Sequence, residues 1–252
     1  MGRITKADKI VRFISFFSLI LFLIMTLTLL ENGKKNFVHA LLPIILVFFL
    51  FIAFLIKTIS LPPGSKRIFS KIMLCASFFL FIGEIINTSI SISKDYSFVF
   101  NTPADFFYFF AYAFFFVSIN MLLKNYFKHN LPIFFACVIV LTIFGYYLLF
   151  PILTSPLFGI KEKIFNLFYL VSSLIVMLLS SLILINKKTF LSFSEKIFFF
   201  LALINNSLYN FYSLVINYKG FYKTPPTITS FFALTYLFLI FGASFLKTEN
   251  NT

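Results

Sequence analysis

Long apolar runs separated by short polar stretches dominate the pattern along this chain. A helix needs about 20 apolar residues to cross the hydrocarbon core of a bilayer, and eight runs meet that length. The breaks between them hold glycine, proline, asparagine and lysine, as in "LPPGSKR" at 61–67. Transmembrane strands would instead alternate in polarity over about ten residues. The pattern predicts eight transmembrane helices, at 13–30, 38–56, 68–92, 103–123, 131–150, 163–185, 196–217 and 227–246.

Composition agrees with this prediction and sets the class of protein. Of the 252 residues, 60% are hydrophobic and only 12% are charged, whereas about a quarter of the residues in a soluble domain are charged. No stretch between the predicted helices is long enough to form a soluble domain. We therefore expect an all-α, polytopic membrane helix bundle that forms a single transmembrane domain over residues 1–252.

The net charge of +13 indicates how the chain lies in the membrane. Its lysines and arginines are spread over the N-terminal tail and the short loops, which favours contact with anionic lipid headgroups over nucleic-acid binding. The side that holds both termini carries about twice as many basic residues as the other side. We therefore expect both termini in the cytoplasm, the cell (inner) membrane as the location, and membrane lipids as partners. The pattern does not indicate an oligomeric state.

Metal and cofactor chemistry has no support in the sequence. Cys75 and Cys137 lie in different apolar runs without disulfide or metal-ligand spacing, and His39 and His129 fall at predicted helix ends on opposite sides. No P-loop, GxSxG, HExxH or CxxC motif occurs. We expect neither a metal nor a cofactor.

Glu84 departs most clearly from the apolar pattern. It lies in the outer half of the third predicted helix, and Asn87 follows it at i+3 on the same face. A charged carboxyl that faces lipid costs several kcal/mol, so we expect this side chain to point into the bundle. Desolvation there favours its protonated form. Because an intramembrane acid is costly, this residue indicates a functional site more than a structural hydrogen bond.

The fourth and seventh predicted helices carry polar faces at a similar depth. The residues of each face recur at helical spacing, so we expect the faces to meet near Glu84. Two interpretations remain open: a functional site, or a core in which polar side chains bridge helices by hydrogen bonds. Asp105, which follows "NTPA", also fits a helix cap. The two faces consist of Asp105, Tyr108 and Tyr112, and of Asn206, Asn210, Ser213 and Asn217.

The two halves of the chain resemble each other. "GEIINTSISISKDY" at 83–96 is followed by Tyr112, and "YNFYSLVINYKGFY" at 209–222 is followed by Tyr236. Each unit reads as a helix with a polar outer part, an aromatic loop, and a helix with a tyrosine near its middle. This predicts a 4+4 parallel internal repeat about an axis along the membrane normal.

These motifs resemble those of the YhhN-type, lysoplasmalogenase-like family of eight-helix membrane proteins. "GEI" at 83–85 stands where that family has a Gly-Asp pair in its third helix, and "LINNSL" at 203–208 stands where it has a Ser-Asp pair in its seventh. Asn206 takes the position of the second acid, and Tyr112 that of a histidine usual in the fourth helix. Tyr236, with the threonine before it, matches a Thr-Tyr pair in the last helix.

The resemblance implies hydrolysis of the vinyl ether of a lysophospholipid substrate, with release of an aldehyde. Glu84 would be the proton donor and Asp105 would orient the water, as the two catalytic residues. The substrate would be held by Asn87, Tyr108, Tyr112, Asn206, Asn210 and Tyr236.

Two other functions remain open. "PADFFYFFAY" at 103–112 looks like the P-x-x-D-x-x-Y segment in the membrane regions of signalling proteins, although only one residue separates its proline from Asp105. A sensor or ligand-binding module of that kind would act through a separate partner, since no output domain follows the last predicted helix. A small proton-coupled carrier, with Glu84 as the coupling site, is the third interpretation.

Overall fold

The computed structural model describes residues 5–32, 37–93, 102–154, 159–187, 189–218 and 226–247, and these form seven α-helices with no strand among them. Five of the helices contain spans that are long and apolar enough to cross a membrane, by length and composition. The predicted all-α membrane helix bundle is therefore confirmed. The helices are α1 (Lys6–Asn32), α2 (Phe37–Ser60), α3 (Ser65–Ser93), α4 (Pro103–Thr154), α5 (Ile160–Ile185), α6 (Phe193–Tyr218) and α7 (Pro226–Phe245).

Three helices begin with the same local arrangement. A serine or threonine is followed three residues later by an acid, whose carboxylate accepts a hydrogen bond from the first residue's backbone N–H, as in a capping box. These acids therefore have a structural role at helix starts. The pairs are Thr5 with Asp8 at 3.1 Å, Thr102 with Asp105 at 2.8 Å, and Ser192 with Glu195.

Six helices form a closed ring. Each of α2 to α6 packs against the next helix in the chain, and α7 closes the ring by packing against α2. Helix α1 lies outside this ring, against α7 and α2. Its outward face carries large apolar side chains such as Phe13, which is 68% exposed, and Phe16, which is 61% exposed. An exposed apolar face of this extent suits contact with lipid.

One end of the ring carries the first turn of α1 and the last residues of α7 together. Lys57, at the end of α2, reaches both: its Nζ lies 2.6 Å from Asp8 Oδ1 and 2.5 Å from the carbonyl oxygen of Leu246. We call this the basic end. The other end holds the start of α4 and the final turns of α3. Between the two ends, the ring interior is filled by apolar side chains, among them Phe54, Phe69, Met73, Leu123, Phe199 and Ile240.

Helix α4 differs from the prediction. The polar stretch "KNYFKHN" at 124–130 was expected to be a loop, but α4 continues through it from Pro103 to Thr154. The stretch itself contains neither glycine nor proline, so its polarity alone does not end the helix. Pro132 follows it inside α4 and lacks the N–H that would donate to the Lys128 carbonyl, which favours a bend at this point. The described residues therefore form seven helices where eight were predicted, and one helix covers the predicted fourth and fifth spans.

Candidate functional site

Glu84 lies inside the ring, nine residues before the end of α3. Its side chain is buried, with 1% of its surface exposed. Two tyrosine hydroxyls donate to the same carboxyl oxygen, Oε1: Tyr108 of α4 at 2.7 Å and Tyr236 of α7 at 2.8 Å. Helices α3 and α7 are not neighbours in the ring, so the Tyr236 contact crosses its interior. Among the acids in the described helices, Glu84 is the one far from any helix end.

Gly83 allows Tyr108 to approach Glu84 closely. A Cβ placed on Gly83 would lie 2.9 Å from Cε1 and 3.1 Å from Cδ1 of the Tyr108 ring. The ring therefore occupies the space that any larger residue at this position would need. The ring also contacts Phe232 of α7 edge to face, at 6.4 Å between centroids. The glycine, the aromatic contact and the hydrogen bond together fix the orientation of Tyr108.

A second polar cluster surrounds Tyr112, one helical turn further along α4. The Tyr112 hydroxyl accepts hydrogen bonds from the side-chain amides of Asn206 at 2.7 Å and Asn210 at 2.6 Å, both on α6. The amide of Asn210 also donates to Ser173 Oγ of α5 at 2.9 Å. Tyr112 is buried, and its contacts with α6 also cross the ring interior. We call Glu84, Tyr108 and Tyr236 the acid centre, and Tyr112, Ser173, Asn206 and Asn210 the amide centre.

Asp105 has two structural contacts at the start of α4. One carboxylate oxygen accepts the backbone N–H of Thr102, and the other accepts the hydroxyl of Tyr169 on α5 at 2.5 Å. A role of Asp105 in capping the helix is therefore supported, although the cap itself is Thr102 and Asp105 is the acid three residues after it. Tyr169 also lies beside Tyr112, with 6.5 Å between ring centroids. This pair lies at the end of the ring nearest the two centres.

Asn205 joins α6 to α7 beside the acid centre. Its side-chain amide donates to the carbonyl oxygen of Phe231 at 2.6 Å and to Thr235 Oγ1 at 2.8 Å. Thr235 directly precedes Tyr236. This hydrogen-bonded contact therefore fixes the register of α7 on α6 at the position where Tyr236 must reach Glu84.

The basic end holds a separate group of buried charges. Lys57 is fully buried, and Asp8 is its ion-pair partner. Nearby, Glu195 is also buried and forms an ion pair with Lys66 at 3.1 Å. A buried lysine whose partner is removed is left as an uncompensated charge, which is strongly destabilising. These residues connect the ends of several helices and lie far from the acid centre.

The structure brings most of the predicted site residues together. Glu84, Tyr108 and Tyr236 meet in the acid centre, whereas the side chain of Asn87, inside α3, forms no hydrogen bond with a described residue. The other predicted residues lie in the amide centre or beside it, with Asp105 one turn before Tyr108. The side chains of Ser213, Asn217, His39, His129 and Cys137 lie outside the described residues.

Sequence reasoning missed three residues that complete these clusters. Tyr169 and Ser173 lie four residues apart on α5, the same i, i+4 spacing that identified the other polar faces. Asn205 was overlooked because it does not lie on the polar face formed by Asn206 and Asn210. Adjacent residues on a helix point in different directions. The spacing of Tyr169 and Ser173 was the available signal.

The acid centre combines one buried carboxyl with two phenol hydroxyls that donate to it. Burial favours the neutral carboxyl, whereas the two hydroxyl donors favour the carboxylate, so the two effects oppose each other. Among the described residues, no group of three or more His, Cys, Asp or Glu side chains could hold a metal ion.

The fold and the site define an integral membrane protein of the helical-bundle class, with a buried carboxyl enclosed by its helices. Comparison with protein-family models, curated proteins and solved structures finds no match for the chain. The function is therefore argued from the geometry of the site.

Proposed function

We propose that this protein is a lipid-directed membrane hydrolase in which Glu84 protonates the vinyl ether of a lysophospholipid, as in the lysoplasmalogenases that its motifs resemble. The observation that carries the proposal is the acid centre, in which a buried carboxyl is held by hydroxyls from two other helices. An intramembrane acid is costly to keep. Apolar residues could fill a bundle of this kind without it.

The proposed reaction uses the carboxyl as a general acid. The proton of Glu84 is transferred to the outer carbon of the vinyl ether, which forms an oxocarbenium ion at the carbon bonded to oxygen. Water adds to that carbon and releases a proton, which restores the carboxyl. The resulting hemiacetal breaks down to an aldehyde and the free glycerol hydroxyl. Tyr108 and Tyr236 stabilise the carboxylate while the proton is on the substrate.

Asp105 is assigned a positioning role in this proposal. Its carboxylate is already bound by the start of α4 and by Tyr169, and Tyr108 follows it by one turn. It fixes the start of α4, and with it the depth of Tyr108 and Tyr112. Water that reaches the acid centre from this end of the ring passes the Asp105–Tyr169 pair. Asn87, one turn after Glu84 on α3, remains a proposed substrate contact.

Eight membrane crossings are part of the proposal, and the direction of α5 supports them. Tyr169 contacts Asp105 and Asn186 contacts Leu122, so α5 runs parallel to the first part of α4. A straight helix of 52 residues would be about 78 Å long, and the six peptide units from Thr154 to Ile160 span at most about 20 Å. Helix α4 therefore cannot be straight: its second part must bend back across the bundle before α5 begins. We assign this fifth crossing to 131–150.

The positions of the helices in the ring support the 4+4 repeat. In the ring order, α3 lies opposite α6, and α4 lies opposite α7, as a two-fold axis through its centre requires. The repeat alignment pairs the third predicted helix with the seventh and the fourth with the eighth. It therefore relates each of these helices to the one that faces it.

Matched hydrogen bonds support the same two-fold relation at the basic end. Lys57, at the end of α2, donates to the carbonyl oxygen of Leu246, just after α7. Asn186, just after α5, donates to the carbonyl oxygen of Leu122 on α4 at 2.9 Å. The axis exchanges α2 with α5 and α7 with α4, so these two contacts correspond.

The proposed orientation places the basic end in the cytoplasm. Exposed basic residues gather there from several elements, including Lys9 and Arg12 of α1, Lys71 of α3 and Lys247 after α7. Excess Lys and Arg beside membrane helices favours the cytoplasmic side. The acid centre then lies in the half of the membrane away from the cytoplasm, and we assign the protein to the cell (inner) membrane.

The experiment is an assay of aldehyde release by the purified protein in detergent micelles, with a lysoplasmalogen as substrate. We expect turnover by the wild type, none by Glu84→Gln, and unchanged turnover by Tyr146→Phe, a matched control whose side chain is 61% exposed. A folded wild-type protein that releases no aldehyde would refute the proposal. Proton-coupled flux in liposomes would then favour a carrier, and a co-purifying signalling partner would favour a sensor.

A further inference from the structure

The acid centre and the amide centre are built on the same plan. In the acid centre, Tyr236 of α7 reaches across the ring to Glu84 of α3; in the amide centre, Tyr112 of α4 reaches across to Asn210 of α6. The two-fold relation exchanges α3 with α6 and α7 with α4. It therefore places Asn210 in the position of Glu84 and Tyr112 in the position of Tyr236. In this corresponding pair, an acid faces the tyrosine in one centre and an amide faces it in the other. The acid centre adds a second tyrosine, and the amide centre adds a second asparagine and a serine.

This difference gives the two centres different chemistry. The amide centre contains no carboxyl: its groups are one phenol, two carboxamides and the hydroxyl of Ser173. With the two amides as donors, the Tyr112 oxygen accepts two hydrogen bonds, and its own proton is directed to another acceptor. Among the described residues, none accepts that proton. The centre is therefore suited to an uncharged oxygen atom of a ligand.

We propose that the amide centre is a neutral subsite that binds a glycerol or ether oxygen of the same lysolipid that the acid centre protonates. This inference rests on the proposed function, because it names the part of that substrate which the second centre holds. The two-fold related centres are unequal, because Asn210 stands in one where Glu84 stands in the other. The lipid therefore binds in one of its two possible directions, with the vinyl ether at Glu84.

The two centres are close enough to contact the glycerol region of one lysolipid molecule at the same time. Tyr108 and Tyr112 are four residues apart on α4, which corresponds to a rise of about 6 Å. A glycerol hydroxyl lies only a few covalent bonds from the vinyl ether carbon, so one molecule spans this distance. Both tyrosines lie on the same face of the helix.

The ligand half of the proposal is tested with a lysolipid that carries a saturated ether in place of the vinyl ether. This probe cannot be hydrolysed, so its binding is measured whether or not the protein is an enzyme. We expect Tyr112→Phe and Asn210→Leu each to weaken binding about five- to tenfold, as the loss of a hydrogen bond predicts. Tyr212→Phe, on the same helix as Asn210 but with an exposed side chain, should leave binding unchanged.

Three outcomes of this binding experiment are informative. Weaker binding by both amide-centre variants, together with no aldehyde from the wild type, would support the subsite and refute the hydrolase. Binding that neither variant weakens would overturn the subsite. Equal loss in Tyr212→Phe would also overturn it, because the effect would not be specific to the centre.

The second part of the proposal, that the two centres are equivalent, is tested by exchanging Glu84 and Asn210. The unfolding temperature is measured for each variant. If the centres are equivalent, Tyr112 can donate to a carboxyl introduced by Asn210→Glu, as Tyr236 donates to Glu84. We expect Asn210→Glu, alone or combined with Glu84→Asn, to unfold within a few degrees of the wild type. Leu203→Glu, which places an acid two turns earlier among apolar side chains, should unfold at a markedly lower temperature.

A second comparison tests whether the bundle accepts a carboxyl at position 210 because Tyr112 donates to it, or because any acid would be accepted there. Tyr112→Phe should cost more stability in the Asn210→Glu background than in the wild type, since it removes the donor to the new carboxyl. If Asn210→Glu is as damaging as Leu203→Glu, or if the cost of Tyr112→Phe is the same in both backgrounds, the equivalence of the centres is wrong.

Discussion

Replacement of Gly83 by alanine tests the packing that holds the acid centre together. The added Cβ would lie 2.9 Å from Cε1 and 3.4 Å from Cζ of the Tyr108 ring, distances at which atoms must move apart. The ring has little freedom to move, because its hydroxyl is bonded to Glu84 and its edge contacts Phe232. We expect the ring to shift and the 2.7 Å hydrogen bond to Glu84 to lengthen or break.

Three effects set the change in the free energy of unfolding: two of them lower it and the third raises it. Overpacking of this kind costs about 1–3 kcal/mol. Loss of the hydrogen bond to the buried carboxyl adds about 1–3 kcal/mol where the bond breaks. Alanine gains about 1 kcal/mol over glycine inside a helix. With the hydrogen bond broken, we expect Gly83→Ala to lower the free energy of unfolding by about 1–5 kcal/mol.

Gly242, inside α7, provides a matched control. A Cβ there would meet Phe199 at 3.4 Å and Phe198 at 3.5 Å, which is ordinary contact. Gly242→Ala should therefore leave the free energy of unfolding unchanged or raise it by up to about 1 kcal/mol. Both variants are compared by reversible unfolding in mixed detergent micelles, followed by the circular dichroism of the helices.

A double-mutant cycle assigns the effect to the tyrosine ring. In a Tyr108→Leu background the ring is absent, so Gly83→Ala should lose most of its cost. If the two glycine substitutions have equal effects on stability, or if the cost of Gly83→Ala is the same in both backgrounds, the close contact between Gly83 and Tyr108 is wrong.

Three further predictions concern the other hydrogen bonds and ion pairs. Asp8→Asn should destabilise the protein by about 3–5 kcal/mol in thermal or denaturant unfolding, because it leaves Lys57 buried without its charged partner. Lys57→Met should cost less, since it removes the buried charge and Asp8 is partly exposed; the reverse order would contradict the buried ion pair. Tyr236→Phe should lower aldehyde release by about 10- to 100-fold while the protein stays folded, because Glu84 loses one of its donors; unchanged turnover would exclude a role for that contact. Asn205→Leu should lower the free energy of unfolding by about 1–3 kcal/mol, as expected for carbonyl and hydroxyl groups left without a buried partner, and no change would show that the contact between α6 and α7 is dispensable.

The fold class and the acid centre were predictable from the sequence for one physical reason. In an apolar chain, each buried polar residue must find a partner, so its helical position indicates the interior of the bundle. Glu84 and the i, i+3, i+7 spacing of Asp105, Tyr108 and Tyr112 indicated which faces would meet. The structure places Tyr108 on Glu84 in this way. Tyr236, which also contacts Glu84, was expected only from the internal repeat and the family resemblance.

The boundaries and the partners were less predictable. The stretch at 124–130 was expected to be a loop because polarity was taken to end a helix, but helix ends depend on backbone hydrogen bonds and capping residues. Asp105 illustrates the same point, since its capping box is a local signal that the sequence carries in Thr102. Which tyrosine meets which amide depends on how the helices pack. Helical spacing does not determine that.

Buried Lys57 was missed because it looks like an ordinary end-of-helix lysine. Its position at the end of α2 fits the usual preference for basic residues near helix C-termini, and the sequence has many basic residues close to predicted helix ends. Only the packing of α1 and α7 around α2 shows that this lysine is enclosed, with Asp8 and the carbonyl oxygen of Leu246 as partners.

The central claim is that the Glu84 carboxyl faces the ring interior, and its rate of reaction with a lipid-soluble carbodiimide tests this directly. The comparison is a variant that combines Glu84→Gln with Ile85→Glu, which moves the acid by one residue to a side chain that is 40% exposed on the outer surface. Mass spectrometry of the modified peptide gives the rate for each protein. The wild-type carboxyl should react at least about tenfold more slowly than the carboxyl at position 85, because α3, α4 and α7 enclose it. Equal rates would place Glu84 among the acyl chains and contradict the site proposed for this protein.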